Sequence, residues 1–158
     1  HKDSMGNGSV MRRGDVQRMT AGSGVQHSEF NPSPDTTVHF LQIWILPQTL
    51  DLIPGYEQKA FMEEEKSNQL RLIISRDGRD HSLTIHQDVD LYAGLLTADC
   101  MLSHPIRKGR NGWLQVVLGD VDVNEMHLVA GDGLAFQDCD QVQVNALSDT
   151  ELLLFDMG

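Results

Sequence analysis

The sequence predicts an all-β chain folded as a sandwich or barrel, and three observations carry that prediction. Short runs of β-branched and aliphatic residues recur through the second half of the chain. Glycine-containing turn pairs separate them, and no segment sustains the 3.6-residue apolar period of a helix. Strands of this kind bury their apolar faces by stacking two sheets or closing one. A chain of 158 residues suffices for one full domain or two small ones, and buries about two thirds of its unfolded surface.

Taken in order, His1-Lys2-Asp3-Ser4-Met5-Gly6-Asn7-Gly8 reads as the end of a strand entering a hairpin. Asn7-Gly8 is the expected turn, because both residues accept positive φ at low cost. Gly14-Asp15 marks a second turn, so that Arg13-Gly14-Asp15 is a turn and not an adhesion signal. Val16 to Met19 follows as a short alternating strand. Val38 to Leu46 reads as the clearest strand of all, rich in β-branched and aromatic residues and stopped by Pro47. Its near-continuous hydrophobicity predicts burial on both faces.

Composition shifts after Pro47, and residues 48–68 are expected to be a linker between domains. The run Glu63-Glu64-Glu65-Lys66 is a solvated face, while Tyr56 to Phe61 is either extended or a short turn of helix. Beyond the linker, strands are predicted at Leu70–Ser75, Leu83–Gln87, Leu91–Leu96, Gly112–Leu118, Val121–Val123, Gly133–Gln137, Gln141–Ala146 and Glu151–Phe155. Asp77-Gly78, Lys108-Gly109, Gly119-Asp120 and Ala130 to Gly133 supply the turns.

Composition then excludes several function classes. The net charge is −11 and the pI about 4.8, which argues against electrostatic binding to nucleic acid or to an anionic membrane. The 12 Lys and Arg residues are scattered and form no basic stripe. No apolar run is long enough to cross a bilayer and no signal-peptide pattern opens the chain, so a cytoplasmic location is expected. Cys100 and Cys139 lack C-x-x-C spacing and read as reduced, partly buried thiols.

One stretch carries chemistry. After the glycine-rich Thr20-Ala21-Gly22-Ser23-Gly24 come His27, Ser28 and Glu29. On an extended strand, the period of two points the imidazole and the carboxylate to the same side. Neutral imidazole with carboxylate suits Fe, Mn, Ni or Zn, but two ligands are only part of a site.

Here the residues resemble a known family. Gly24-x-x-His27-x-x-x-Asn31 looks like the tail of the second conserved motif of cupins, although Gly14 lies two residues farther upstream than the general pattern expects. More specifically, Asp3-Ser4-Met5-Gly6-Asn7, Thr20 to Gly24, His27-Ser28-Glu29 and Gln42-Ile43-Trp44 resemble the pirin family. Tyr56-Glu57-Gln58, His86-Gln87-Asp88 and Leu152 to Asp156 are similar to its bacterial quercetinase-like branch.

The resemblance implies a bicupin of two jelly-roll barrels. Residues 1–47 would be the later part of an incomplete, metal-binding first barrel, and residues 69–158 a second barrel without metal. It implies that His27 and Glu29 are metal ligands, with Fe(II) as the expected metal and Glu29 also the catalytic base. Two further ligands come in the family as His-x-His, which this sequence lacks. The chain therefore reads as an N-terminally truncated member with an incomplete site. The implied activity is a flavonol (quercetin) 2,3-dioxygenase, impaired here, acting on a flavonol-like molecule and dioxygen. The alternatives are a non-catalytic, metal-dependent regulatory protein with a protein partner, or an inactive fragment. An incomplete first barrel also leads us to expect poor solubility or self-association through the first 47 residues. In the second barrel, His104 alone falls in the first cupin motif, and His81, His86, His104 and His127 are expected as surface or hydrogen-bonded residues.

Overall fold

The computed structural model describes residues 1–158, and it is built almost entirely from strands. The N-terminal part contributes β1 (Lys2–Asp3), β2 (Asp15–Thr20), β3 (His27–Ser28) and β4 (Gly55–Ala60). A four-residue helix α1 (Glu63–Lys66) follows. The remainder holds β5 (Leu70–Ser75), a 3-10 turn at Arg79–His81, β6 (Leu83–Thr84), β7 (Val89–Leu96), β8 (Met101–Pro105), β9 (Asn111–Leu118), β10 (Asp120–Val123), β11 (Met126–Val129), β12 (Gly133–Phe136), β13 (Gln141–Ala146) and β14 (Thr150–Met157).

From β5 onward the strands form a two-sheet unit. A six-stranded sheet runs in the order β12-β9-β14-β7-β5-β6 and faces a four-stranded sheet, β11-β10-β13-β8. All pairings are antiparallel except β5 with β6. Leu114, Val116, Val121, Val123, Val142 and Leu154 alternate inward and are fully buried between the sheets. This is the period-two signature of a sheet with one face on the core.

The six-stranded sheet is also covered on its outer face. Phe61, Ile73, Ile74, Leu83, Val89, Leu91 and Phe155 form a second core, against which Val16 and Ile45 of the N-terminal part pack. Burial on both faces explains the unbroken Leu152-Leu153-Leu154-Phe155 of the central strand β14.

The N-terminal part is sparser. β1 pairs only with β3, and β2 only with β4. β2 and β4 run antiparallel over six residue pairs, from Asp15 opposite Ala60 to Thr20 opposite Gly55. Residues 48–68 are thus more than a connection: Tyr56 to Ala60 is extended and completes this two-stranded sheet. The acidic run makes the first turn of α1, where the Glu65 carboxylate accepts from the Met62 amide at 2.8 Å.

Three sequence expectations change. Val38 to Leu46 forms no strand, and Val38, Phe40, Trp44 and Leu46 are exposed, Trp44 at 84%. A strand needs a neighbour for its backbone groups, and no other segment of the chain pairs with this one. The first hairpin turn precedes Asn7-Gly8 and runs over Ser4 to Gly6, with positive φ at Gly6 and the Asp3 amide bonded to the Asn7 carbonyl at 3.1 Å. β8 and β11 were not foreseen. The acidic, glycine-rich surroundings of Met126–Val129 and the terminal proline of Met101–Pro105 masked both.

Candidate functional site

β1 and β3 lie antiparallel, with Lys2 opposite Ser28 and Asp3 opposite His27. Ser4 and Gln26 lock the pair, because the Ser4 amide donates to the Gln26 carbonyl at 2.8 Å and Ser4 Oγ accepts from the Gln26 amide at 3.1 Å. The glycine-rich connection from β2 turns at Gly22, whose φ is +54°. A Cβ there would stand 2.0 Å from the Leu52 carbonyl oxygen, so only glycine allows the two segments to pass this closely.

His27 and Glu29 emerge from this arrangement two residues apart and exposed. His27 lines an open concavity of about 320 Å³ together with Lys2, Asp3, Ser4, Gln26 and Ser28. Its walls carry no hydrophobic side chain. The structure contains no cluster of three or more His, Cys, Asp or Glu side chains arranged as a metal site. The imidazole of His27 and the carboxylate of Glu29 are hard-to-borderline donors that fit a divalent first-row metal, as two ligands of a larger set.

The sequence reading missed His1. Its side chain is only 1% exposed, and both ring nitrogens are engaged. Nδ1 lies 2.7 Å from Glu29 Oε1 and Nε2 lies 3.2 Å from Asp3 Oδ2. The ring stacks on Tyr56 of β4, with centroids 4.7 Å apart and planes 19° from parallel, and lies 5.9 Å from the ring of His27. Tyr56 is itself held, its hydroxyl donating to Gln58 Oε1 at 2.7 Å and lying 2.6 Å from Ser9 Oγ. A signal was present: His1-Lys2-Asp3 repeats the His-x-acid spacing of His27-Ser28-Glu29.

Asp3 anchors the far side of His1. Its carboxylate accepts from the amides of Met5 and Asn7 at 2.9 Å each and from Asn7 Nδ2 at 2.8 Å. Burial pushes the Asp3 carboxyl up, but these hydrogen bonds outweigh it and hold it below the ordinary value.

The second barrel carries a separate polar cluster. His104 on β8 meets Tyr92 of β7 edge-on at 4.5 Å. Burial pushes His104 down, against the opposing pull of Asp156 and Asp90. Asp90 is 4% exposed and pairs with Arg79 at 2.5 Å and Arg107 at 3.3 Å, while Arg110 binds both Asp156 and Asp88. His81, His86 and His127 are exposed, the last lying 3.2 Å from Asp122. Cys100 and Cys139 are free and partly buried. No helix is long and apolar enough to cross a membrane.

Two family models match the chain. Residues 1–45 match the family described as pirin, and residues 72–157 match the quercetinase C-terminal cupin domain. The chain is 42% identical over 157 residues to the quercetin 2,3-dioxygenase of Escherichia coli K12, covering 99% of this chain and 67% of that protein. It is 40% identical over 159 residues to a putative quercetin 2,3-dioxygenase of Pasteurella multocida, with 99% and 67% covered. The crystal structure of YhhW from Escherichia coli superposes with a TM-score of 0.93 at 41% identity, covering 99% of this chain and 66% of that one. The nickel(II) complex of the same bacterial pirin gives a TM-score of 0.90 at 41% identity, again covering 99% and 66%. The chain thus spans about two thirds of the length of these relatives.

Proposed function

The chain belongs to the pirin family of cupins, and on that footing we propose that it serves a metal-dependent dioxygenase reaction on flavonol-like molecules such as quercetin. The observation that supports the reading is the His27–Glu29 pair. Its imidazole lines an open concavity, and its carboxylate lies two residues on, within a chain 42% identical to a quercetin 2,3-dioxygenase. His27 and Glu29 would hold a divalent metal; nickel(II) is bound by the similar bacterial pirin, and Fe(II) is the metal we favour. The metal would supply Lewis-acid charge that acidifies a hydroxyl of the bound flavonol.

The rest falls to the protein. His27 presents its imidazole toward the concavity, where it binds and orients. Glu29 accepts the flavonol hydroxyl proton on its carboxylate and so acts as general base. The walls of Lys2, Ser4, Gln26 and Ser28 are polar and suit a polyhydroxylated ring system. Two donors alone hold a metal weakly, so turnover by this chain is low unless the metal is saturating.

The test is quercetin loss under air with saturating Fe(II), compared with Glu29→Gln. We expect Glu29→Gln to lower turnover by about 10²-fold or more while metal loading falls far less. Equal turnover in the variant would remove Glu29 from the chemistry. A second reading, a metal-dependent protein that acts through a partner, draws on the exposed Phe40, Trp44, Leu46, Leu50 and Ile53. Metal binding without any quercetin loss at saturating metal would favour it.

A further inference from the structure

Glu29 is a side chain with freedom to lose. It follows a two-residue strand and retains 26% exposure. A carboxylate in that position samples several rotamers and can offer either oxygen, or both, to a cation. His1 removes that freedom. Its Nδ1 stands 2.7 Å from Oε1 of Glu29, in the range of a strong hydrogen bond to an ionised group.

His1 is itself built in rather than adjustable. Its far nitrogen is taken by Asp3, whose carboxylate is in turn immobilised by Met5 and Asn7. The Tyr56 ring lies against one imidazole plane. With both nitrogens engaged and only 1% of its side chain exposed, His1 has no lone pair to turn toward the concavity. Asp3, His1 and Glu29 form a chain of contacts running from the hairpin turn to the proposed ligand.

We propose that His1 is a positioning residue, which holds Oε1 of Glu29 and leaves Oε2 as the single oxygen for metal and for the substrate proton. The proposal rests on the reading of His27 and Glu29 as metal ligands. It has two consequences. Glu29 ligates through one oxygen, and the hairpin from β1 to Asn7 becomes part of the site although none of its side chains touches the metal. A partner that orients a ligating group in this way is commonly worth 10- to 100-fold in metal affinity.

Cobalt(II) titration, followed by the absorption bands of the bound ion, tests this without reference to turnover. The 158-residue chain is used with its α-amine acetylated, so that the amine of His1 does not chelate. His1→Ala should weaken Co(II) about 10- to 100-fold with band positions unchanged. His1→Asn, whose amide can stand in for Nδ1, should recover part of that loss. An affinity unchanged in His1→Ala overturns the proposal. So does a band shift in His1→Ala like that of His27→Ala, which would make His1 a direct ligand. Equal weakening in His1→Ala and His1→Asn overturns it too, since a general disturbance of the hairpin would then suffice. Should His27→Ala leave Co(II) affinity unchanged, the metal reading itself fails, and that result is distinct from a failure confined to His1.

Discussion

Residues 1–60 and residues 69–158 are made from similar stretches of sequence and end in different physical states. Val38 to Leu46 and Leu152 to Phe155 are both predominantly apolar runs. The second is the central strand of a six-stranded sheet, with Leu152 and Leu154 fully buried; the first pairs with nothing, and its Trp44 is 84% exposed. Hydrophobicity decides that a segment seeks cover. Whether it becomes a strand depends on a neighbour that can satisfy its backbone. The barrel supplies two neighbours to β14, whereas the four short strands before α1 form only two isolated pairs.

The sharpest way to break this contrast is to truncate one apolar side chain in each region. Leu154→Ala, at a side chain with no exposure, should cost about 3 kcal/mol in urea unfolding, from lost burial and the cavity left behind. A loss below about 1 kcal/mol would show that the barrel core is not the stable unit.

A smaller effect comes from acid. Burial holds His104 below its ordinary value, so the unfolded chain takes up its proton first. Its contribution to stability is fully present above the unfolded value of 6.5 and is lost as pH falls toward the lower folded value. His104→Phe should therefore flatten the fall in Tm just below pH 6.5. An unchanged slope in the variant would assign that fall to other groups.

The smallest effect on stability belongs to the exposed run. Trp44→Ser should change unfolding by less than about 0.5 kcal/mol but reduce self-association in sedimentation experiments. A monodisperse wild-type chain would remove the contrast at the level of the surface, because the apolar run would then cause no association.

The barrel was largely legible in sequence because alternation and turn residues are local. Leu70–Ser75 and Gln141–Ala146 match β5 and β13 in full, the first as a short apolar run and the second by alternation, each bounded by turn residues. β8 was lost because Ser103, His104 and Pro105 dilute its pattern. In the candidate site, His27 and Glu29 stand out by their spacing together with the glycine-rich Thr20 to Gly24 block before them. His1 did not, because its contact with Glu29 spans 28 residues and depends on the antiparallel pairing of β1 with β3. No period within one segment reports such a contact.

The position of β14 also bears on how the barrel assembles in time. It lies between β9 and β7, yet it comes later in the chain than every other strand of its sheet. Until Thr150 to Met157 has been made, β7 and β9 each present a bare edge, and the two barrel cores lack Leu152, Leu154 and Phe155. During synthesis the unit is held open until its last strand arrives, and a ribosome that stalls before Thr150 leaves two strand edges ready to pair with another chain.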